Sequence, residues 1–270
     1  MNHLIGKADI LFITMDTLRF DVAESAMQNG LTPNLRRWIP NGWELRHSPA
    51  SFTYAAHQAF FAGFLPTPVA PGPHPRLFAA RFPGSETTME QTFVFDAPDI
   101  VTGLGKIGYR TICIGGVGFF NKVSQLGSVL PGLFHESHWS VSLGVTEKAS
   151  TQNQVDVAIH SLEILPDEQR VFLFVNVSAM HQPNCMYVDG AVNDTPQTQA
   201  AALGYVDSQL PRLFSAMQKR ADVYCIVCSD HGTAYGEDGY IGHRLAHPVV
   251  WNVPYADFLL PHQQNILHAA

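Results

Sequence analysis

The sequence predicts an α/β fold: a doubly wound, mostly parallel sheet with helices on both faces. Three observations carry that expectation. Four apolar, β-branched runs recur along the chain, helix-sized segments separate them, and polar residues with chemical capacity collect just after the runs. Continuous apolar strands suit a parallel sheet covered on both sides, because a strand with one wet face alternates instead.

Taken in order, the first run is "ILFITM" at 10–15, and Asp16 follows it directly. A helix is expected over 53–62, where "TYAAHQAFFA" opens on Thr53, a residue type favoured at helix N-termini. Residues 64–98 are rich in proline and glycine and read as an ordered excursion over the sheet edge. A helix over 99–107 then leads to the second run, "RTICIG" at 110–115. A helix over 147–163 precedes "RVFLFVNV" at 170–177, with His181 a few residues beyond. The last helix, 197–218, contains Pro211 as a candidate kink and leads to "DVYCIVCS" at 222–229, followed by Asp230 and His231. No internal repeat or low-complexity linker interrupts this series, so 1–270 is expected to be a single catalytic domain.

Composition narrows the function classes. With 46% hydrophobic residues, 21 glycines and 18 prolines in 270 residues, the chain can bury a substantial core and turn often. The net charge of −7 leaves no basic stripe to displace counterions, which argues against nucleic-acid binding. The start "MNHLIGKADILFITMDTLRF" has an apolar run broken by Asp16, so neither a signal peptide nor a membrane span is expected. Cys113, Cys185, Cys225 and Cys228 form no disulfide or metal framework and read as free core thiols in a reducing compartment. The expected location is therefore cytoplasmic.

In an open parallel sheet, ligands bind at the carboxyl ends of the strands. That edge brings Asp16, His181, Asp230 and His231 to one place. A carboxylate beside a neutral imidazole suits a divalent ion, and the glycines at 232, 236 and 239 make a turn that presents both side chains. The plainer alternative is a strand-end turn in which Asp230 caps backbone groups. Asp16 could add an anionic ligand or cap the next segment. Thr53 is either a helix cap or a hydroxyl that a metal activates for attack, with His57 one turn later in reach of the same anion. His181, His243 and His247 could bind anionic oxygens, protonate a leaving group, or complete a second metal site.

The ordered set resembles the alkaline phosphatase/sulfatase superfamily, and its sulfatase-like branch most closely. "DILFITMDTLRFD" is similar to the opening strand and its metal aspartate, and "TPNLRR" followed by "SPASFTYAAHQAFFAGFLP" to the nucleophile helix. "LGKIGYRTICIGG", "FLFVNVSAMHQP" and "SDHGTAYGEDG" resemble the "GYRT" strand, the strand leading to an active-site histidine, and the metal Asp-His turn. The nearest resemblance is to an uncharacterised bacterial group of sulfatase-like metal-dependent hydrolases. It implies an alkaline phosphatase-like fold, with Asp16, Thr53, Asp230 and His231 around a divalent ion: Zn or Mn first, Mg or Ca next. Thr53 would be the nucleophile, His57 an anion contact, His181 the substrate or leaving-group histidine, and His243 a contact to the transferred group.

The departures from that pattern refine the expectation. A formylglycine sulfatase needs Cys or Ser where this chain has Thr53. Gly116 and Gly118 stand where the family has lysine and histidine, and Thr17 where it has a second aspartate. The expected function is a metal-dependent hydrolase or transferase acting on a small anionic ester, a phosphate monoester or diester, through a threonine nucleophile. The alternatives are a sulfate-ester hydrolase of non-formylglycine type and a degenerate relative that binds an anion without turnover.

Overall fold

A computed structural model describes residues 3–63, 78–79, 93–94 and 99–264. The four apolar runs form the strands β1 (Asp9–Met15), β3 (Arg110–Ile114), β5 (Val171–Val177) and β6 (Val223–Cys228). Three strands that the apolar pattern did not reveal complete the sheet: β2 (Glu44–His47), β4 (Glu136–His138) and β7 (Asn252–Leu260). The order across the sheet is β2-β7-β6-β1-β5-β3-β4. From β6 to β4 every pairing is parallel, whereas β7 runs antiparallel to both β6 and β2. The sheet is thus mixed, with a long parallel centre and an antiparallel flank.

Strand β1 lies at the centre and all seven of its residues are buried. Its alternating side chains feed two cores, as the period of two requires. Leu11, Ile13 and Met15 pack with the helices α1 (Phe20–Gln28), α2 (Pro33–Trp38), α6 (Ser150–Glu163) and α7 (Pro196–Gln218). Ile10 and Phe12 face the other way, toward α3 (Thr53–Ala62) and α4 (Ile100–Lys106). The second core is aromatic, built around Phe61, Phe120, Phe134, Phe172 and Phe174. Helices on both faces explain why the central strands carry no polar alternation.

The four expected helices all form. Helix α7 runs through Pro211 without ending, and Thr195 and Thr198 close its N-terminus with a reciprocal capping box. The one-turn helices α5 (Gln125–Val129) and α8 (Pro248–Trp251) are too short to show a periodic pattern. Most of the excursion expected over 64–98 lies outside the described residues; Phe78–Ala79 and Phe93–Val94 form a small parallel pair.

The register sets the site. Met15 pairs with Val177 and Thr14 with Cys228, so β1, β5 and β6 end level with one another. Asp16, Ser178 and Ser229–Asp230 therefore leave the sheet along one edge. No helix among the described residues is long and apolar enough to cross a membrane. All four cysteines are free; Cys113, Cys225 and Cys228 are buried and Cys185 is half-buried.

Candidate metal centre

Asp16 extends the ladder one step past β1: its backbone N–H donates to Val177 O at 3.0 Å. Thr17 then turns the chain away at φ 63°, a left-handed conformation that costs a β-branched residue energy. Its N–H donates to Asp230 Oδ1 at 3.2 Å and its hydroxyl to Met180 O at 3.1 Å. This strained residue thus ties the loops after β1, β5 and β6 together.

Asp230 and His231 lie on the turn after β6. The His231 backbone N–H donates to Asp230 Oδ1 at 2.9 Å, and the Ser229 hydroxyl donates to His231 O at 2.8 Å. His231 Nδ1 sits 2.8 Å from Gly232 O. A carbonyl can only accept, so the proton is on Nδ1 and the Nε2 lone pair is left for a cation. Gly232 has no alternative here: a Cβ would lie 1.9 Å from Val249 O.

The donor atoms of Asp16, Asp230 and His231 lie within 4.8 Å of one another, and all three residues are buried. Asp16 Oδ1 and Asp230 Oδ2 have no hydrogen-bond partner. Burial raises both carboxyl pKa values, and for Asp16 the neighbouring Asp230 charge adds to the rise. Burial lowers that of His231. Two buried carboxylate oxygens left unpaired beside an imidazole lone pair are costly unless a cation compensates them. This set fits a divalent ion such as Zn or Mn, and the expected cofactor is borne out at that level.

Thr53 does not cap its helix. The N-cap of α3 is Phe52, and no side chain caps this helix end. Thr53 is the first helical residue, and its Oγ1 lies 3.3 Å from Asp16 Oδ2 and 3.2 Å from His231 Nε2. The hydroxyl faces the metal ligands instead of the helix backbone.

His57 is placed differently from its expected role. Its Nδ1 donates to Thr53 O at 2.7 Å, and its Nε2 lies 2.9 Å from the Thr14 hydroxyl, so both ring nitrogens are engaged. Phe60, Phe61, Phe120 and Phe174 surround the ring. Burial pushes its pKa down to about 3. It buttresses the Thr53 carbonyl from behind, and the expectation that it contacts an anion is corrected accordingly.

A cleft of about 380 Å³ opens in front of Thr53 and carries His181, His243 and Arg244 on its wall. His243 is the bridge: its ring centroid is 4.6 Å from that of His231 and 5.8 Å from that of His181. Burial first, and then the neighbouring His231, His181 and Arg244, push its pKa down to about 3. His247 turns elsewhere, capping Val249 N and approaching Asp238 at 3.1 Å. Two residues of this neighbourhood escaped the sequence reading. Arg244 was hidden in "GHRLAH" behind its histidines. Asn176, the one polar residue in "VFLFVNV", donates to Asp16 Oδ2 at 3.2 Å and accepts from Val117 N at 3.1 Å.

Residues 8–255 match the Sulfatase family. The chain belongs to that family. No curated protein matches it significantly. Among solved structures it is similar to the C-terminal periplasmic domain of phosphoethanolamine transferase EptC from Campylobacter jejuni (TM-score 0.62, 13% identity, 97% of this chain and 81% of that one). It is also similar to the C-terminal periplasmic domain of EcEptC from Escherichia coli in complex with Zn (TM-score 0.60, 10% identity, 96% and 74%). A protein in the alkaline phosphatase superfamily from Vibrio parahaemolyticus gives TM-score 0.58 and 17% identity, over 95% and 60% of the two chains. At these identities the likeness concerns the fold, and it bears out the alkaline phosphatase-like expectation.

The cytoplasmic expectation is overturned by the same comparison. Two of these structures of the same fold are periplasmic domains, which points away from the cytoplasm. With the family, the donor set and the buried threonine together, the chain is a metal-dependent enzyme of the hydrolase or transferase type.

Proposed function

We propose that the chain is a phosphoryl hydrolase or transferase that uses Thr53 as its nucleophile on a small phosphate ester, working in the periplasm as one catalytic domain over 1–270. The observation that carries this reading is the Thr53 hydroxyl, turned from its helix end toward Asp16 and His231 beside two unpartnered carboxylate oxygens. Asp16, Asp230 and His231 would hold the divalent ion, with Thr53 Oγ1 in reach as a further donor. Such an ion, when bound, lowers the pKa of a hydroxyl and polarises a phosphoryl oxygen.

The protein's own groups account for the rest. The N-terminus of α3 favours the negative charge that develops at Thr53 Oγ1. That oxygen forms a bond to phosphorus as the bond to the departing ester oxygen breaks, giving a phosphothreonine. The hydroxyl proton ends on the departing oxygen, with His181 and His243 on the cleft wall able to carry it. Water or an alcohol then displaces Thr53 Oγ1 from phosphorus, and its proton restores the hydroxyl. Sulfate-ester hydrolysis is the weaker reading: threonine has no route to formylglycine, so it would have to run through the unmodified Thr53 hydroxyl.

One observation favours the degenerate alternative. Gly116, where the family has lysine, has no room for a side chain: a Cβ would lie 2.3 Å from Asn176 O. The two readings part on one experiment. Thr53→Ala should bind Zn with wild-type stoichiometry, stay folded, and lose at least about a hundredfold in turnover of phosphate esters. Rapid acid quench followed by peptide mass spectrometry should find phosphate on Thr53 in the wild type. Unchanged turnover in Thr53→Ala would exclude the nucleophile, and wild-type protein that binds Zn and anions without turnover would favour the degenerate relative. The narrower placement, in the uncharacterised sulfatase-like bacterial group, stays part of this proposal.

A further inference from the structure

We propose that Arg244 anchors the substrate anion and that the cleft is built for a singly charged phosphodiester carrying one apolar ester group. This rests on the phosphoryl-transfer reading above and narrows it.

Arg244 occupies an unusual backbone position. Gly242, two residues before it, has φ 87°, and Arg244 itself has φ 70°, where a side chain with a Cβ is strained. Its N–H donates to Ser51 O at 2.9 Å, two residues before Thr53. The arginine is thereby fastened to the loop that delivers the nucleophile. Strain of this kind persists where the surroundings hold the backbone, as the bond to Ser51 O does here, while the Arg244 side chain itself is exposed.

Its charge is also free. Among the described residues Arg244 has no ion pair, whereas the buried Arg19 is taken up by Asp21 and Glu237. No carboxylate among the described residues lines the cleft, and Arg244 is the one fixed charge on its described wall. In the metal centre, two carboxylates offset one dication. The uncompensated charge of the whole site is then the single guanidinium, which matches one negative charge on the substrate. A phosphate monoester would bring a second negative charge, for which the described wall offers no second fixed cation.

The apolar lining adds the second half of the inference. Val117, Phe119, Leu126 and Val145 also line the cleft, and among the described lining residues they form its apolar part. A diester has two ester groups: one departs past His181 and His243, and the other lies against this apolar part. Gly118 also lines the cleft, and a side chain there has space, since the nearest atom to its Cβ would be Asn121 Nδ2 at 3.9 Å. A cation introduced at that position can therefore test whether the missing charge is what disfavours monoesters.

The test uses Zn-loaded protein with phenyl p-nitrophenyl phosphate, p-nitrophenyl phosphate and p-nitrophenyl sulfate as substrates. The wild type should favour the diester in kcat/KM over both others. Arg244→Gln should raise KM for the diester about tenfold or more with a smaller change in kcat, and Arg244→Lys should recover part of the loss. Gly118→Lys should raise the monoester-to-diester ratio of kcat/KM about tenfold. Calorimetry on the Zn-loaded Thr53→Ala background gives a readout without turnover: diphenyl phosphate should bind about tenfold more weakly when Arg244→Gln is added. A wild-type preference for the monoester or the sulfate overturns the proposal, as does diphenyl phosphate affinity within twofold in the Arg244→Gln background. A preference for the monoester or an unchanged diphenyl phosphate affinity leaves the phosphoryl reading and Thr53 in place, whereas a preference for the sulfate, Thr53-independent turnover, absence of turnover or absence of Zn binding would remove the reading beneath.

Discussion

At the scale of single residues, Asn176 decides how well Asp16 can serve the metal. Asp16 Oδ2 receives hydrogen bonds from Asn176 Nδ2 and the Thr53 hydroxyl, which leaves Oδ1 without a hydrogen-bond partner among the described residues. Groups that orient a ligand from behind tune metal affinity by about 10–100-fold. Asn176→Ala removes that donor, and it also leaves the Val117 N–H without its acceptor. The expected outcome is a fall in Zn affinity of about tenfold or more, with about 1–3 kcal/mol of lost stability from the orphaned amide. Competition titration against a chelating indicator, together with chemical denaturation, reads the two effects separately; affinity within twofold of wild type would refute the orienting role. Asp16, Asp230, His231 and Thr53 were legible in the sequence because strand ends and a helix start place them by topology. Asn176 and His57 were not, because their roles depend on which face of an element they occupy. A histidine one turn into α3 can face an anion or the phenylalanine core, and only packing decided for the core.

At the scale of elements, the central strands announced themselves and the flanks did not. Strands buried on both faces need unbroken apolar runs, so β1, β3, β5 and β6 could be read directly. Strand β2 is exposed at every position, β4 has three residues, and β7 contains Pro254, each of which erases the usual signal. At the opposite edge, β4 and β3 are held by a small charged cluster. Glu136 receives bonds from Arg110 at 2.8 Å and His138 at 2.7 Å. Burial works against its ionised form, but those hydrogen bonds dominate and bring its pKa down to about 2. A depressed carboxylate stabilises the fold above its unfolded value, near 4.5, and loses that contribution as pH falls through about 2. Arg110 and His138 are partly solvated, so Glu136→Gln should cost no more than about 1 kcal/mol at pH 7. Urea denaturation of both proteins between pH 7 and pH 2.5 should show the gap narrowing on the acid side. A gap that is constant across this range would mean that the charge of Glu136 contributes nothing to the edge.

For the whole molecule, the metal centre couples stability to pH and to the cation. In protein stripped of metal, Asp230 is pushed up to about 7, chiefly by burial, and burial with the Asp230 charge also raises Asp16. A carboxyl with a raised folded pKa binds more protons in the native state than in the unfolded one. The stripped protein should therefore be most stable below the ordinary aspartate value near 3.8 as far as these groups are concerned, and should lose that stability as pH rises toward 7. A bound dication reverses the logic, because it favours both carboxylates ionised. Its stabilisation grows with pH over the same window, and at a free concentration a hundred times its Kd amounts to about 2.7 kcal/mol. Calorimetric melting of chelator-treated and Zn-loaded protein from pH 5 to pH 8 should show the two Tm curves diverging as pH rises. Parallel curves would mean that the buried carboxylates are not the ligands, since no other described pair places two unpartnered carboxylate oxygens beside an imidazole at the centre of this sheet edge.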